Sequence, residues 1–433
     1  MNIRRIAFAG LMALTLAGCG TTASKLLDFG ADKDQPLVGT RETVLPEGNT
    51  GEAATPAEPI AIPAAMANAG WPQSGGNASH NLQHLQLGGE LKKLFAASAG
   101  AGSDKNGRLT APPIVDNGRL YVMDTEATIT GFDAAGKRLW RTSAVPNGED
   151  GAGAYGGGIA SDGQRIYAAT AFGEIVALNA GDGKEVWRKK VDVPVRTAPT
   201  VENGRIYFVT VTNDVYAMNA ADGTELWRYQ GTGEAASALS STSPAVAGDL
   251  VVAPTTSGDL VGISASSGLG LWVESLTALD TSTGLANLND ISARPVIDGT
   301  TAFALSHTGR FAAFDGQTGQ RIWERSIAGT ETPWAAGSAL YVISRDGKLQ
   351  AISTKTGGTW WIKPLPEGTW AGPVLAGNKL IAVSNTGLLA SFSPQTGELL
   401  GTQKLGGKFY IAPVVANGTV YLLSDSADLI ALR

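Results

Sequence analysis

The 433-residue chain has few of the residues on which metal and redox chemistry depends. It contains one cysteine, Cys19, and three histidines. A single cysteine cannot form an internal disulfide, and it excludes a zinc site built from cysteines. Lys and Arg number 33 against 39 Asp and Glu, a net charge of −6, and no basic cluster stands out. Because nucleic-acid binding needs such a cluster, we expect no nucleic-acid partner.

Recognisable catalytic motifs are also missing from the sequence. There is no serine-nucleophile elbow, Walker loop or dinucleotide fingerprint. His80 and His84 have the spacing of two helical metal ligands, but no third ligand accompanies them, so we interpret residues 71–87 as a polar entry segment. His307 falls in a predicted hairpin turn and is expected to be solvated, and acids such as Asp133 occupy turn motifs. We therefore predict no catalytic residue, no metal site and no cofactor.

The first eighteen residues form a pattern typical of export. Arg4 and Arg5 precede the apolar run IAFAGLMALTLAG, which is too short to span a bilayer comfortably. The small residues that follow complete the pattern of a signal peptide over residues 1–18. The alternative to the interpretation developed next is an ordinary secretory signal with a chance cysteine.

The segment Leu16-Ala17-Gly18-Cys19 resembles the lipobox of bacterial lipoproteins. In that family the cysteine thiol carries diacylglycerol, the signal is cut before the cysteine, and the new amino group is acylated. The resemblance implies that Cys19 is the lipidated first residue of the mature chain, with two or three acyl chains for stable anchoring. Gly20 follows where an Asp commonly retains Gram-negative lipoproteins at the inner membrane. We therefore expect anchoring at the periplasmic face of the outer membrane.

Residues 19–70 are rich in Ala, Pro, Glu, Gly and Thr and almost free of aromatic residues. Such a segment cannot bury enough apolar surface to offset the entropy of ordering. We predict a disordered tether whose root-mean-square reach is on the order of 35–40 Å.

From residue 108 onward one pattern recurs eight times: three short strands separated by NG, DG or TG turns, as in TAPTVENGRIYFVTVTNDVYAMNA. Six repeats are followed by a Gly and, four residues later, a Trp; the seventh places Gly401 at the Trp position. The spacing between successive Trp residues is 38 to 51 residues. A period of this length with short strands predicts propeller blades.

The eighth repeat ends at Arg433 without a fourth strand. The segment GGELKKLFAA at residues 88–97 can supply it, with Phe95 near the aromatic position. Pairing the two chain ends would close the ring. The predicted fold is therefore all-β: a single eight-bladed β-propeller of four-stranded antiparallel blades over residues 71–433.

The repeated tryptophans are predicted to dock each blade against the next rather than to form an aromatic ligand platform. They are Trp140, Trp187, Trp227, Trp272, Trp323 and Trp361. Trp71, Trp334, Trp360 and Trp370 lie outside this spacing, and Trp334 and Trp370 begin blades near the channel.

Repeats of the type ADGTELW resemble the pyrroloquinoline-quinone (PQQ) enzyme-like propellers over nearly the whole predicted fold. Two groups share this repeat. The quinoprotein dehydrogenases are longer, and the alcohol dehydrogenases among them carry a vicinal disulfide that one cysteine cannot form. The BamB family of outer-membrane assembly lipoproteins combines a lipobox, a tether and one eight-bladed propeller, as here. This resemblance implies a non-catalytic scaffold that binds the POTRA domains of BamA and other Bam lipoproteins, and nascent outer-membrane proteins as further partners.

The long connections on either side of the fourth blade are the predicted binding region, since loops carry function on rigid scaffolds. The resemblance places the contacts in these two loops, where BamB carries leucines and an Arg in the first and two acids in the second. Asp290 matches the first acid, Ser292 stands at the second, and Leu239 stands at the Arg position. The predicted partner-binding residues are Leu239, Ser240, Leu288, Asn289, Asp290 and Arg294.

Two other functions stay open from sequence. One is a PQQ-dependent oxidoreductase, which the shared repeat permits because fold alone does not fix function. The other is a periplasmic ligand-binding propeller, which would require a ligand in the central channel.

Overall fold

The computed structural model describes residues 55–152, 156–195, 197–231, 242–277 and 291–433. Residues 50–433 form one compact unit. Across the described ranges the regular secondary structure consists of β-strands, and no helix there is long and apolar enough to cross a membrane. The strands form eight separate four-stranded antiparallel sheets, each a propeller blade. The predicted fold class is thus confirmed.

The first four blades take their strands consecutively from the chain. Their strands are β2 (Ile114–Asp116), β3 (Arg119–Met123), β4 (Thr128–Phe132) and β5 (Arg138–Ser143) in blade 1; β6 (Gly158–Ser161), β7 (Arg165–Thr170), β8 (Glu174–Asn179) and β9 (Glu185–Lys190) in blade 2; β10 (Thr200–Glu202), β11 (Arg205–Val209), β12 (Val215–Asn219) and β13 (Glu225–Tyr229) in blade 3; and β14 (Ala245–Ala247), β15 (Leu250–Pro254), β16 (Asp259–Ser264) and β17 (Gly270–Ser275) in blade 4.

Blades 5 to 7 repeat this order, and blade 8 combines both ends of the chain. Their strands are β18 (Val296–Asp298), β19 (Thr301–Leu305), β20 (Arg310–Asp315) and β21 (Arg321–Ser326) in blade 5; β22 (Trp334–Ala336), β23 (Ala339–Ile343), β24 (Lys348–Ser353) and β25 (Thr359–Pro364) in blade 6; β26 (Trp370–Ala376), β27 (Lys379–Ser384), β28 (Leu388–Phe392) and β29 (Leu399–Lys404) in blade 7; and β30 (Val414–Ala416), β31 (Thr419–Leu423), β32 (Asp428–Leu432) and β1 (Lys93–Ser98) in blade 8.

Burial differs systematically across each blade. The two middle strands are buried almost throughout, as in β7 and β8, because neighbouring blades cover both of their faces. The outermost strand alternates between exposed and buried side chains, as in β5. This explains why the middle strands have nearly continuous apolar sequences while the outer strands carry charges. The hairpin between β2 and β3 turns at Asn117 and Gly118, whose φ angles of 48° and 71° suit a tight two-residue turn.

The ring closes by pairing of the two chain ends, as predicted. Strand β1 pairs antiparallel with β32, and Phe95 lies opposite Ala431. The Phe95 ring packs at Gly136 of blade 1, where an added Cβ would lie 2.4 Å from the ring. Closure through β1 leaves no blade with a missing strand.

The propeller unit begins earlier than the predicted boundary at residue 71. Ile60 is buried, and the Ala61 backbone N–H donates to Ser338 Oγ at 2.8 Å in blade 6. The segment 55–70 therefore packs on the propeller and is not part of a tether. Ile60 and Ile62 supply its apolar contacts with the core of the propeller.

Candidate functional site

At the rim of the propeller, the repeated tryptophans join each blade to the next. In all six cases the indole Nε1–H donates to a backbone carbonyl of the next blade. This hydrogen bond holds the indole in the gap between the two blades. The pairs are Trp140 to Ala180 (3.1 Å), Trp187 to Ala220 (3.2 Å), Trp227 to Ala265 (2.9 Å), Trp272 to Gly316 (2.8 Å), Trp323 to Thr354 (2.9 Å) and Trp361 to Pro394 (3.3 Å).

A turn glycine of the next blade lies directly against each of these indoles. At Gly319, with a φ of +74°, an added Cβ would lie 2.7 Å from Trp272, so neither the conformation nor the space admits a side chain. The repeated Gly therefore serves the Trp of the preceding blade as well as its own turn. The indoles and the turn glycines thus pack directly against each other in these interblade gaps.

At the hub of the propeller, one continuous segment, residues 68–85, joins the blades to one another. We call this segment the plug. It runs around the channel and hydrogen-bonds to the first strand, or the turn after it, of every blade in succession. The contacts are Asn68 O with Asn417 N in blade 8, Trp71 N with Val115 O in blade 1, Pro72 O with Ser161 N in blade 2, Gln73 Oε1 with Val201 N in blade 3, Ala78 O with Val246 N in blade 4, Ser79 O with Ile297 N in blade 5, Gln83 O with Trp334 Nε1 in blade 6, and Leu85 N with Leu375 O in blade 7.

His80 is a buried structural residue of the plug. Its Nδ1 lies 2.7 Å from the Pro295 carbonyl, and its Nε2 lies 3.1 Å from Ser243 Oγ. A neutral ring that donates from Nδ1 and accepts at Nε2 satisfies both contacts. Burial lowers the pKa of His80 to about 3, although the Pro295 carbonyl acts in the opposite direction. The ring is therefore neutral at physiological pH.

His84, in the predicted polar entry segment, is also buried. Its Nδ1 lies 2.8 Å from the Pro63 carbonyl, and its Nε2 accepts the Asn378 N–H at 3.0 Å. Both ring nitrogens of each histidine are thus hydrogen-bonded within the protein. Across the described ranges no cluster of three His, Cys, Asp or Glu residues could hold a metal ion.

Next to the plug, which forms part of its wall, the channel contains a cavity of about 280 Å³. Plug residues form one wall, and the starts of blades 1 and 5 to 8 form the rest. Its polar and aromatic lining includes Trp71, His80, Arg108, Arg294, Glu331, Trp334 and Tyr410. Trp71 and Trp334 stack on each other with ring centroids 6.1 Å apart. Both Trp334 and Trp370, which the sequence places near the channel, are buried.

Two ionisable side chains, Arg294 and Glu331, line this cavity. Arg294 donates from Nη2 to Ser74 Oγ at 2.7 Å and from Nη1 to Thr332 Oγ1 at 3.3 Å, which ties blade 5 to the plug and to blade 6. Glu331 Oε2 accepts the Gly372 N–H at 3.0 Å. Protein surrounds both groups, yet each keeps part of its surface open to the cavity.

Enclosure shifts the pKa of both groups toward their neutral forms. Burial raises the pKa of Glu331 to about 7, against the lowering effects of the Gly372 N–H and the positive charge of Arg294. Burial lowers the pKa of Arg294 to about 10, while the charge of Glu331 raises it. At neutral pH the guanidinium is charged and the carboxyl group is close to half protonated.

The predicted partner-binding residues separate into two groups. Leu239, Ser240, Leu288, Asn289 and Asp290 lie outside the described residues, as does the predicted lipidation site Cys19. Arg294 lines the channel and is hydrogen-bonded to Ser74 of the plug, and its role in partner binding stays a prediction. It lies in the connection before β18, two residues before that strand begins at Val296.

Sequence reasoning missed the Arg294–Glu331 pair, although a signal was present. Several blades begin with a small residue immediately before a proline, as at Ala198, Ser243 and Ala412, whereas blade 5 has Arg294 there. A charged residue at a position that faces the channel is the exception that marks the cavity. Glu331, two residues before the Pro of blade 6, carries no such positional signal.

The fold and repeats define an eight-bladed propeller of the PQQ-like class. The family model described as "Outer membrane protein assembly factor BamB" matches residues 125–363 and 345–433. An outer membrane protein assembly factor BamB of Xanthomonas campestris pv. campestris is 29% identical over 363 residues, which cover 83% of this chain and 79% of that protein. The chain belongs to the BamB family of outer membrane protein assembly factors.

Solved structures agree on the fold. BamB from Moraxella catarrhalis superposes with a TM-score of 0.67 at 17% identity, covering 79% of this chain and all of that one. The quinohemoprotein alcohol dehydrogenase from Comamonas testosteroni gives a TM-score of 0.66 at 14% identity, covering 85% of this chain and 81% of that one. Since an assembly factor and a dehydrogenase match almost equally well, the architecture by itself does not separate the two functions.

Proposed function

We propose that the protein is a non-catalytic, lipid-anchored scaffold of the outer-membrane β-barrel assembly machinery. Cys19 would hold it at the periplasmic face of the outer membrane in a Gram-negative bacterium. The observation that carries the proposal is the family match, which extends over residues 125–433 of one closed ring. A ring fastened at both rim and hub is a rigid platform, and such platforms present their binding residues on loops.

The proposed partner is the periplasmic POTRA region of BamA, bound through the connections that flank blade 4. These connections, residues 230–244 and 276–295, are long compared with residues 327–333 and 365–369 between later blades. The contacts are assigned to Leu239 and Ser240 in the first loop, and to Leu288, Asn289 and Asp290 in the second. Other Bam lipoproteins would join the same assembly, and nascent outer-membrane proteins would be delivered through it.

The loop assignment is tested by copurification from membrane extracts. A tagged variant with Leu239→Asp and Asp290→Arg should recover at least about tenfold less BamA than wild type, because apolar and acidic contacts are both reversed. The matched control carries Leu400→Asp and Glu90→Arg, which makes the same net charge change at exposed sites away from blade 4. Equal recovery of BamA by both variants at equal expression would refute the assignment.

A further inference from the structure

Blades 6 and 7 differ in charge from the blades before them. Residues 334–404, which include both blades, carry six Lys and Arg against three Asp and Glu, a net charge of +3. Residues 114–326, which include blades 1 to 5, carry 16 Lys and Arg against 24 Asp and Glu, a net charge of −8. One part of an acidic propeller is therefore positive, and such a part attracts anionic partners.

The cations of the outer strands also differ in their pairing. In blades 1, 2, 3 and 5 an outer-strand arginine forms an ion pair with a carboxylate: Arg141 with Asp124, Arg188 with Glu185, Arg228 with Asp214, and Arg321 with Glu274. The outer strands of blades 6 and 7 carry Lys363 and Lys404 instead, and neither lysine forms an ion pair with any residue in the described ranges. Their positive charges are therefore not compensated within this part of the protein.

Exposed apolar side chains lie on the same two outer strands. Ile362 in β25 is 49% exposed, and Leu399 and Leu400 in β29 are 50% and 53% exposed. The Lys363 side chain crosses from blade 6 to blade 7, since a Cβ added to Gly397, in the turn before β29, would lie 2.7 Å from its Cγ. Apolar residues beside lysines are typical of surfaces that bind a bilayer peripherally. We call Ile362, Lys363, Leu399, Leu400 and Lys404 the rim patch.

The N-terminal segment leaves the propeller beside the rim patch. Trp360 Nε1 in β25 donates to the Glu58 carbonyl at 2.8 Å, and Gln395 Nε2 in blade 7 donates to the Ile60 carbonyl at 3.4 Å. The predicted tether between the lipidation site and this segment is 35 residues long. A flexible chain of that length has a root-mean-square reach of about 30–35 Å. A surface held so close to a bilayer needs only weak affinity to stay in contact with it.

The size of the rim patch argues against a folded protein or a second copy of the chain as its occupant. A stable protein–protein interface buries about 800 Å² on each partner. Three apolar side chains, each about half exposed, supply much less than this. A bilayer has no such minimum, because the tether holds the protein there and each lysine near an anionic surface adds to the attraction.

We propose that the rim patch is a docking surface for the anionic headgroups of a lipid bilayer. Lys363 and Lys404 would contact headgroup phosphates, and the three apolar side chains would lie against the interface. The proposed BamA contact at blade 4 is a separate surface, since blade 5 lies between it and the patch. The proposal rests on the proposed lipid anchor only for what keeps the patch near the bilayer. Its own affinity for lipid requires neither the anchor nor BamA.

Co-sedimentation with lipid vesicles tests the patch without the anchor. The chain without residues 1–19 is mixed with vesicles of phosphatidylethanolamine and phosphatidylglycerol, or of phosphatidylcholine alone. At low salt it should bind the anionic vesicles at least about tenfold more strongly, and about 0.5 M NaCl should remove this preference. Equal binding to both vesicles, or no binding to the anionic ones, would overturn the proposal and leave the lipid anchor untouched. Self-association without vesicle binding would also overturn it, in favour of a second copy as the occupant.

Lysine variants test the electrostatic part of the contact. Lys363→Gln combined with Lys404→Gln should weaken binding to anionic vesicles at least about tenfold. The matched control, Lys189→Gln with Lys190→Gln, makes the same charge change on the outer strand of blade 2 and should weaken binding less than about twofold. Equal losses in the two double variants would show that net charge, and not the rim patch, governs binding.

Leucine variants test the apolar part. Leu399→Ser with Leu400→Ser should weaken vesicle binding at least about fivefold, because two apolar side chains no longer enter the interface. The control is Leu269→Ser with Leu271→Ser in blade 4, whose side chains are 67% and 45% exposed. All four positions are exposed, so unchanged urea midpoints should confirm that both proteins fold. Equal binding by the two double variants would contradict the apolar contact.

A dye at a single residue reports the contact directly. The chain without Cys19 has no cysteine, so Ile362→Cys or Val273→Cys introduces one thiol for an environment-sensitive fluorophore. Both side chains are about half exposed on outer strands, one in the rim patch and one in blade 4. Anionic vesicles should raise the emission from position 362 and leave that from position 273 unchanged. Equal responses from the two positions would place the bilayer contact elsewhere and overturn the proposal.

Discussion

The rim and the hub of this propeller hold the same eight blades together in different ways. At the rim, six indoles make the same contact, each with one neighbouring blade. At the hub, one segment of the chain hydrogen-bonds to all eight blades, through residues that share no common pattern. Loss of one rim contact should weaken one interface, whereas loss of the plug should weaken all of them. The difference shows that a repeat protein can depend on a segment that does not repeat.

The largest loss of stability is expected when the plug is removed together with the residues that flank it. Deletion of residues 55–87, which leaves β1 intact, should lower the free energy of unfolding by at least about 5 kcal/mol. Burial of Ile60, Trp71 and Leu85 is worth about 1.5–3 kcal/mol each, and several buried backbone groups would lose their partners. Urea unfolding of the soluble chain measures the effect. Deletion of residues 20–54 is the control, and equal midpoints for the two deletions would contradict a structural role for the plug.

Removing one rim contact should cost less. Trp272→Ala deletes an indole packed between blades 4 and 5 and hydrogen-bonded to Gly316, and should cost about 3–5 kcal/mol. The adjacent Leu271→Ala, on the exposed side of the same strand, should stay within about 0.5 kcal/mol. Chemical denaturation of the three proteins gives both values. A Trp272→Ala cost as small as that of Leu271→Ala would show that the rim contacts do not stabilise the ring.

Protonation of His80 should destabilise the folded protein at acidic pH. The folded pKa is about 3 and the unfolded value is 6.5, so the unfolded chain binds the extra proton and stability falls as the pH decreases below about 6.5. The loss is up to about 1.4 kcal/mol per pH unit in this window. His80→Asn, which tolerates the φ of 57°, should lose less stability between about pH 6.5 and pH 4.5. A variant whose acid loss equals that of wild type would exclude His80 as the cause.

Glu331 should have the opposite effect on the pH dependence of stability, over a pH range that overlaps that of His80. Its folded pKa of about 7 lies above the ordinary value of 4.5, so its protonated form favours the folded state and that stability is lost as the pH rises from about 4.5 to about 7. Glu331→Gln should flatten this part of the stability curve. Unfolding measurements over the same pH series detect the flattening. A Glu331→Gln curve with the wild-type shape would contradict this role of Glu331.

The smallest effect is expected where the rim pattern is interrupted. Gly401 stands at the Trp position of blade 7, and nothing lies within 4 Å of an added Cβ. The third and fourth strands of blade 8 come from opposite ends of the chain, so no connecting turn offers an acceptor for an indole. Gly401→Trp should therefore change stability by no more than about 0.5 kcal/mol. Stabilisation comparable to the cost of Trp272→Ala would mean that this interface has a latent docking site.

The two regions also differ in how far the sequence predicts them. The blades, their number and the closure through β1 follow from a repeated pattern, since the same physical requirement recurs at each interface. The plug contacts are individual: Gln73 reaches blade 3 through its side chain, whereas Ala78 reaches blade 4 through its carbonyl. No local pattern specifies such contacts, and the Ala-, Pro- and Gly-rich composition of residues 19–70, almost free of aromatics, predicted a tether. The contact of Arg294 with the plug could not be predicted for the same reason, because only the folded ring shows what its side chain faces.

The central claim is that the protein binds BamA through the two loops that flank blade 4. In-cell photo-crosslinking tests this contact most directly, with the crosslinking amino acid introduced at Leu239, at Asp290 and, as a control, at exposed Leu400 in blade 7. The account predicts crosslinks to the POTRA region of BamA from positions 239 and 290 and none from position 400. Crosslinks from position 400 alone, or no crosslink to BamA from either loop, would contradict it.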